Sequence, residues 1–383
     1  MEAVSSLPEI VERVRSRLPL LQSGVALNHA GIGPQPLSES IPQFESLRAH
    51  ALPIDALATV ASDRARIREL YARMLSVHPS EIAVTKNTAE GVNTIAQGFP
   101  WQKGDRILTI SVEYPSNVYP WWNVKSRGVE IDTVPERDGR VDYDELERAI
   151  TGRTRMMAIS HVEFASGFAF DIDRLAALCS SRGIFLFLDI AQSIGSIPVN
   201  LSRVDAAAWP TWKWLMGPLG MGGFYIASKH LESIAPPFVG SDGMTPSADY
   251  LDYNFRFKPD ASRFEFSTEN LLGLIGTREA LELFAPLWDN PSPTAALIHG
   301  NCDAVIARME SSGFKLYSSR AQGEKSGILS FTSGPGAPDV REAHAKLRTA
   351  RVEAAVRGGR LRISPHFYNN ARDFDRLADA LSA

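Results

Sequence analysis

The stretch FLFLDIAQ, residues 185–192, is a short apolar run that ends in a carboxylate. Four consecutive aromatic and aliphatic residues are typical of a strand buried on both faces, as in a parallel sheet. The acid that ends the run, Asp189, stands where open α/β sheets place their ligand crevice. Burying a carboxylate there costs free energy unless it meets a cation or a protonated nitrogen. A plain cap on the following turn explains this acid equally well from this stretch alone.

Outward from this stretch, strand-like runs alternate with helical patterns from about residue 60 to residue 230. Such alternation predicts an α/β fold with a mostly parallel sheet, covered by helices on both faces. After Phe266 the pattern changes to helices followed by short strands, which indicates a smaller α+β unit. We therefore expect a large domain over residues 20–265. Residues 1–19 and 266–383 should form a small domain, with the N-terminal segment packing against the C-terminal unit.

The composition is that of an ordinary globular enzyme. The 383 residues include 40 Lys+Arg and 44 Asp+Glu, a net charge of −4, which argues against a nucleic-acid or membrane-surface role. Only two cysteines occur, Cys179 and Cys302, so a disulfide framework is not expected and a reducing compartment is favoured. Neither a secretory signal nor a membrane span is visible, and these features together predict a cytoplasmic protein.

A second informative stretch is TWKWLMGPLGMGG, residues 211–223. Here Lys213 lies between two tryptophans and before a glycine-rich run. Desolvation among such neighbours lowers the pKa of an amine and makes it a nucleophile toward carbonyl groups. A surface lysine that packs its stem on the tryptophans is the alternative interpretation. The glycines fit neither the dinucleotide motif nor the phosphate-binding loop, so nucleotide binding is not supported.

These two stretches together resemble the class V branch of the fold-type I pyridoxal-phosphate enzymes. The similar patterns are Asp-x-Ala-Gln at 189–192 and Lys-Trp-Leu-x-Gly-Pro-x-Gly-x-Gly at 213–222. The resemblance runs from LNHAG at 27–31 to RISPHFYN at 362–369. It implies a large domain with a mostly parallel central sheet flanked by helices, a smaller α+β domain, and pyridoxal 5′-phosphate as cofactor.

The resemblance also implies roles for individual residues. Lys213 would form the Schiff base (the internal aldimine) with the cofactor aldehyde and then carry the substrate α-proton. Asp189 would hold the protonated ring nitrogen, and Gln192 would bond the ring 3-oxygen. The motif NTAEGVN at 87–93 matches the family's phosphate turn, where Thr88 and the N–H of Ala89 begin a helix whose N-terminus suits a phosphate.

Further residues are assigned around the cofactor and the substrate in the same way. Tyr114 would stack on the cofactor ring, and Arg362 would grip the substrate α-carboxylate through its two-pronged guanidinium. Asn28 and His29 are expected to line the substrate mouth. Thr268 matches the residue that reaches the phosphate of a neighbouring subunit, which implies a homodimer with shared sites.

Several positions depart from the family pattern. Pro210 and Trp212 stand where many relatives carry a phosphate-binding serine and a histidine, and Phe164 replaces a polar residue that desulfurases use. The sequence His-Val-Glu at 161–163 is similar to part of a zinc-deaminase motif, but no Pro-Cys-x-x-Cys follows. We therefore predict no metal site.

The reaction is chosen among the activities of the family. Neither Cys179 nor Cys302 falls where desulfurases place their sulfur-accepting cysteine, so cysteine desulfuration is disfavoured. We expect an amino-acid aminotransferase that works through the Lys213 aldimine and a quinonoid intermediate. A C–S lyase acting by β-elimination and an isopenicillin N epimerase-like enzyme are the alternatives. A cofactor-binding regulator without turnover is disfavoured by the intact set of Lys213, Asp189 and Arg362.

Overall fold

The computed structural model describes residues 6–247, 249, 251–288 and 290–382. The α-helices, in chain order, are α1 (Leu7–Ser16), α2 (Ser40–His50), α3 (Asp55–Leu75), α4 (Thr88–Gly98), α5 (Tyr119–Asn123), α6 (Tyr143–Ala149), α7 (Ile172–Arg182), α8 (Leu271–Trp288), α9 (Ser292–Ser311), α10 (Val340–Thr349) and α11 (Ala371–Ser382). The strands are β1 (Ile82–Thr85), β2 (Arg106–Ile110), β3 (Glu130–Val134), β4 (Thr154–Ser160), β5 (Phe185–Asp189), β6 (Ala206–Pro210), β7 (Gly222–Ile226), β8 (Phe314–Leu316), β9 (Leu329–Ser333), β10 (Ala355–Arg357) and β11 (Arg360–Ile363).

The large sheet has seven strands in the order β1-β7-β6-β5-β4-β2-β3. Strand β7 runs antiparallel to both of its neighbours, and the remaining pairings are parallel. In β5 every residue is buried, and alternate side chains enter two different hydrophobic clusters. Leu186 and Leu188 pack on one face of the sheet, Phe185 and Phe187 on the other. The predicted mostly parallel sheet with both faces covered is thus confirmed.

Strand β6 joins the centre of the sheet although its sequence, AAAWP, contains few strand-favouring residues. Its alanines allow helix α4 to approach closely. A Cβ placed on Gly91 of that helix would lie 2.6 Å from the Cβ of Ala208. Small side chains on both partners therefore bring the N-terminal end of α4 to the edge of the sheet where β5 and β6 end.

The smaller sheet is antiparallel, with the order β10-β11-β9-β8. Its core includes the N-terminal helix, because Ile10 and Val14 of α1 pack in one cluster with residues of β9, β11 and α11. The N-terminal contribution continues beyond the predicted limit at residue 19, since Val25 and Leu27 belong to the same cluster.

Helix α8 connects the two hydrophobic cores. Leu274 and Leu281 pack in the core beneath the large sheet, whereas Leu283 and Phe284 pack with the small sheet. A division of the chain at residues 265 and 266 therefore assigns the whole of α8 to one unit although it contributes to both. The two-domain boundaries stay a prediction.

Among the described helices, none combines the length and the apolar character that a membrane crossing requires.

The C-terminal helix offers a test of the second core. Leu377 of α11 is completely buried there. We expect Leu377→Ala to lower the free energy of unfolding by about 2–5 kcal/mol, because buried contacts are lost and a cavity remains. Urea unfolding of the cofactor-free protein measures the change. The exposed neighbour Arg372→Ala is the control, expected within about 0.5 kcal/mol of the parent protein. Equal effects of the two substitutions would contradict this packing.

Candidate active site

A cavity of about 590 Å³ opens at the carboxyl ends of the large sheet's strands. Eight of the ten residues proposed from the sequence line it: Asn28, Thr88, Ala89, Tyr114, Asp189, Gln192, Lys213 and Arg362. They come from the N-terminal segment, the start of α4, the loop after β2, the ends of β5 and β6, and strand β11. The fold thus brings together residues that are more than 300 positions apart in the chain.

Lys213 follows β6, and its backbone is held by the N-terminal segment. The Gly33 N–H donates to the Trp212 carbonyl at 2.8 Å. A Cβ on Gly33 would lie 2.3 Å from the Lys213 carbonyl oxygen, so a larger residue would displace the lysine. Burial lowers the pKa of the Lys213 amine to about 8, with Arg362 and Arg357 acting in the same direction and Asp189 opposing them. The neutral, nucleophilic amine is therefore accessible near neutral pH.

Trp214, the residue after Lys213, holds this part of the chain through two hydrogen bonds. Its indole Nε1–H donates to Oε1 of Gln192 at 2.9 Å, and its carbonyl lies 2.9 Å from Nε2 of His366. The Gln192 Nε2 donates in turn to the Ala30 carbonyl at 3.0 Å. Because a side-chain amide carries two N–H groups, one remains for a ligand oxygen in the cavity. The amide of Gln192 is thereby oriented before any ligand binds.

Asp189 ends β5 as a buried carboxylate that faces the cavity. Its Oδ1 accepts a hydrogen bond from the Ala191 N–H at 2.8 Å, and among the described residues it forms no ion pair. Burial raises the pKa of this carboxyl, and Lys213 opposes the rise. A buried acid with so little compensation fits a protonated ring nitrogen, whose positive charge would offset the cost of burial.

The N-terminus of α4 forms another wall of the cavity. Asn87, in extended conformation, caps the helix by accepting the Glu90 N–H at 3.0 Å. Thr88 and Ala89, at the first two helical positions, line the cavity. The N–H groups of a first helical turn have no partners within the helix and favour an anion such as a phosphate. Pro210 and Trp212, which depart from the family pattern, line the same cavity.

An aromatic pair and a buried arginine complete the substrate side. Tyr114 and Phe164 meet edge to face at 5.3 Å, and Nζ of Lys213 lies 5.3 Å from the centroid of the Tyr114 ring. The Arg362 guanidinium donates to the Phe164 carbonyl at 2.8 Å and to Oδ1 of Asn28 at 3.3 Å. Among the described residues no carboxylate pairs with this arginine. Its guanidinium therefore suits a carboxylate from a substrate.

His29 does not lie at the cavity mouth, which corrects the expectation from the sequence. Its side chain is completely buried, with Nδ1 3.0 Å from the Ser364 carbonyl and Nε2 2.7 Å from the Tyr368 hydroxyl. Burial lowers the pKa of His29 to about 4. The neighbouring Asn28 forms a β-bridge with Ser364, and consecutive side chains of an extended segment point to opposite sides. Asn28 therefore faces the cavity and His29 the core.

Thr268 lies outside this cavity. It is exposed, in the loop before α8, and lines a separate cavity of about 270 Å³. A role toward a neighbouring subunit's phosphate stays a prediction.

Two residues near the site were not identified from the sequence. The Glu113 carboxylate accepts hydrogen bonds from the N–H and the hydroxyl of Ser160, both at 2.6 Å, and from Asn117 at 2.9 Å. Burial raises the pKa of Glu113 to about 8. Its hydrogen bonds with Ser160 connect the loop that carries Tyr114 to the end of β4. Arg357, at the end of β10, lines the cavity beside Arg362. Its place in the Arg-rich segment RGGRLR, residues 357–362, was the available signal.

The two cysteines lie outside the cavity. Cys179 in α7 and Cys302 in α9 are buried, and burial raises the pKa of each thiol to about 12. Neither thiol is placed to become a reactive thiolate at this site.

Residues 50–377 match the aminotransferase class V family. The chain belongs to this family. A class V relative, the probable cysteine desulfurase of Methanothermobacter thermautotrophicus, is 26% identical and covers 97% of both chains. The isopenicillin N epimerase of Streptomyces clavuligerus is 28% identical over 97% of this chain and 98% of that protein. The protein is a PLP-dependent enzyme of this family.

The fold is shared with solved structures of the cystine C–S lyase C-DES. A complex of the cystine C–S lyase C-DES with its product cysteine persulfide aligns with a TM-score of 0.87 at 23% identity, covering 95% of this chain and 99% of that chain. Another C-DES structure carries glycine covalently linked to the PLP cofactor. The class V family to which this chain belongs indicates pyridoxal 5′-phosphate as its cofactor.

The lowered pKa of Lys213 has a direct consequence for its reactivity. In the cofactor-free protein we expect acylation of this amine to rise with pH around a midpoint of about 8, well below an ordinary lysine. Asp189→Asn should lower the midpoint, because Asp189 favours the charged amine, and Arg362→Met should raise it. Pulse labelling followed by peptide mass spectrometry measures the profile, with exposed Lys103 as reference. A midpoint above pH 10 would refute the desolvated amine.

Proposed function

We propose that this class V enzyme is an aminotransferase that acts on an amino acid. When bound, pyridoxal phosphate supplies an aldehyde carbon that captures amines and a ring that accepts electrons. The residues of the cavity suit that group: Asp189 would hold its ring nitrogen, Gln192 its 3-oxygen, and the start of α4 its phosphate. Lys213 would carry the cofactor, and Tyr114 would cover its ring. All five sites lie on one cavity.

The observation that carries the proposal is the single base in the cavity. Lys213 is the only amine or imidazole among the described lining residues, and the acid Asp189 is assigned to the ring nitrogen. Transamination would move one proton from the substrate α-carbon to the former aldehyde carbon of the cofactor, across the nitrogen that joins them and on one face, a task for one base. Nζ of Lys213, with its pKa lowered to about 8, would take the α-proton and give it back. Arg362 would orient the substrate by its carboxylate.

Two other activities of the family call for more than the single base Lys213. A desulfurase needs a thiol to take up sulfur, and the described residues of the cavity include none. Epimerisation calls for proton donation and removal on opposite faces of the α-carbon. β-Elimination of a thiol needs only one base, and the structural likeness to a C–S lyase supports it as the second candidate.

One experiment separates these reactions. The purified holoenzyme is mixed with a panel of amino acids, including cystine, while the cofactor spectrum and the products are followed. We expect the cofactor to accumulate in its amine form, and continued turnover to require a keto acid. Pyruvate and ammonia released without a keto acid would replace transamination by elimination, and racemised substrate alone would favour an epimerase. Lys213→Ala should abolish both turnover and borohydride trapping of the cofactor.

We also propose a homodimer in which Thr268 reaches the cofactor phosphate bound to the second copy. Six large apolar side chains are exposed between residues 238 and 272, the part of the sequence that contains Thr268: Phe238, Val239, Leu251, Tyr253, Phe255 and Leu272. Exposed apolar residues grouped in this way are typical of an interface.

A cytoplasmic location is part of the same proposal, supported by the free thiols of Cys179 and Cys302.

If the site is shared between subunits, two substitutions should differ in their effects on the dimer and on cofactor retention. Thr268→Ala should weaken cofactor retention and leave the dimer intact, because one hydrogen-bonding hydroxyl is lost. Tyr253→Asp should shift the protein toward monomer and weaken cofactor retention as a consequence. Light scattering and the absorbance of dialysed protein measure the two effects. A parent protein that is monomeric at micromolar concentration would contradict the proposal.

A further inference from the structure

Strands β10 and β11 form a short hairpin that carries two arginines to the cavity. The turn consists of Gly358 and Gly359, both with positive φ, of 53° and 73°. Glycine adopts this conformation without strain, and it is typical of the tight turns that join paired strands. Arg357 pairs with Arg360 across the hairpin, and Ala355 pairs with Arg362. Arg357 and Arg362 both line the cavity.

The two arginines lie at different depths. Arg362 is only 1% exposed, and its guanidinium is held by the Phe164 carbonyl and the Asn28 side chain. Arg357 is exposed at the rim, and its guanidinium donates a hydrogen bond to the carbonyl of the adjacent Val356 at 2.8 Å. Neither pairs with a carboxylate among the described residues. Burial, and then the positive charge of Arg357, lowers the pKa of Arg362 to about 9.

Two like charges that converge on one cavity require anions to compensate them. Asp189 is the one carboxylate among the described lining residues, and it is assigned to the cofactor ring. A substrate α-carboxylate would pair with Arg362, and the cofactor phosphate is assigned to the start of α4, so no anion is assigned to Arg357. The cavity therefore accommodates one further negative charge at its rim.

The wall around the two arginines is partly apolar. Phe164 and Tyr114 are in edge-to-face contact, and the half-exposed Ile32 also lines the cavity. Such surfaces suit a methylene chain rather than a polar linker.

We propose that the substrate is a dicarboxylic amino acid, with its α-carboxylate on Arg362 and its distal carboxylate on Arg357. The assignment rests on the proposed function for the presence of an amino-acid substrate. Arg357 is then the residue that determines specificity, since its guanidinium distinguishes an acidic side chain from a neutral one of the same length.

The test compares matched ligands that cannot react. Glutarate and butyrate have no amine, so they bind to the holoenzyme irrespective of the reaction at the α-carbon. Their dissociation constants are measured by calorimetry. We expect glutarate to bind at least about tenfold more tightly, and Arg357→Met to remove most of this preference. Arg362→Met should weaken the binding of both ligands.

Arg360→Met is the control, because it removes the same charge from the same hairpin. The Arg360 guanidinium lies 4.0 Å over the ring of Tyr317 and does not line the cavity. The control should keep the preference for glutarate. The proposal is overturned if the parent enzyme binds glutarate and butyrate equally well. It is also overturned if Arg357→Met weakens the binding of both acids equally, which would mean that both arginines bind one carboxylate.

Turnover provides a second measurement. Glutamate and aspartate should exceed glutamine and asparagine in kcat/KM, and Arg357→Met should reduce that ratio mainly through KM. A preference for glutarate without aminotransferase activity would refute the reaction and leave the acidic-ligand assignment in place. Aminotransferase activity with equal kcat/KM for acidic and neutral substrates would refute the acidic-ligand assignment and leave the reaction in place.

Discussion

The desolvation of one carboxylate and one amine at the carboxyl edge of the large sheet is the constraint on which the site depends. Asp189 and Lys213 are held out of water at the ends of β5 and β6, close enough for each to alter the pKa of the other. Burial favours the neutral form of both groups, and their mutual attraction opposes it. The amine therefore stays nucleophilic, and the buried carboxylate is stabilised only when a positive group binds beside it. A cofactor with an aldehyde and a basic ring nitrogen meets both demands.

Holding these groups in place requires both cores of the protein. Trp214 sits between Gln192 from the large unit and His366 from the C-terminal region, and its hydrogen bonds to them tie the lysine segment to each. Helix α8 reinforces the connection, because its side chains enter both hydrophobic clusters. The cavity is consequently a product of how the two sheets are joined, and neither sheet supplies it alone.

The parts of this architecture that could be predicted are those with strong local chemistry. The apolar run of β5 identifies a buried parallel strand, and the residues assigned to the cofactor occur in the order typical of the family. Strand β6 escaped prediction because Ala206, Ala207 and Ala208 have little strand propensity and depend on close packing by α4. His29 was misplaced because the direction of a side chain in an extended segment depends on its bridge partner. Glu113 and Arg357 owe their significance to residues distant in sequence, which local patterns do not reveal.

The approach of Gly33 to the Lys213 carbonyl makes the N-terminal segment part of the scaffold of the cavity. This segment also supplies Asn28 to the cavity and Val25 to the second core. Segments near a chain terminus usually tolerate shortening or fusion, because few contacts hold them. Here the opposite applies to residues 25–33. Trimming into residues 25–33 would release the backbone that holds Lys213, and trimming before them would already remove Ile10 and Val14 of α1 from the second core.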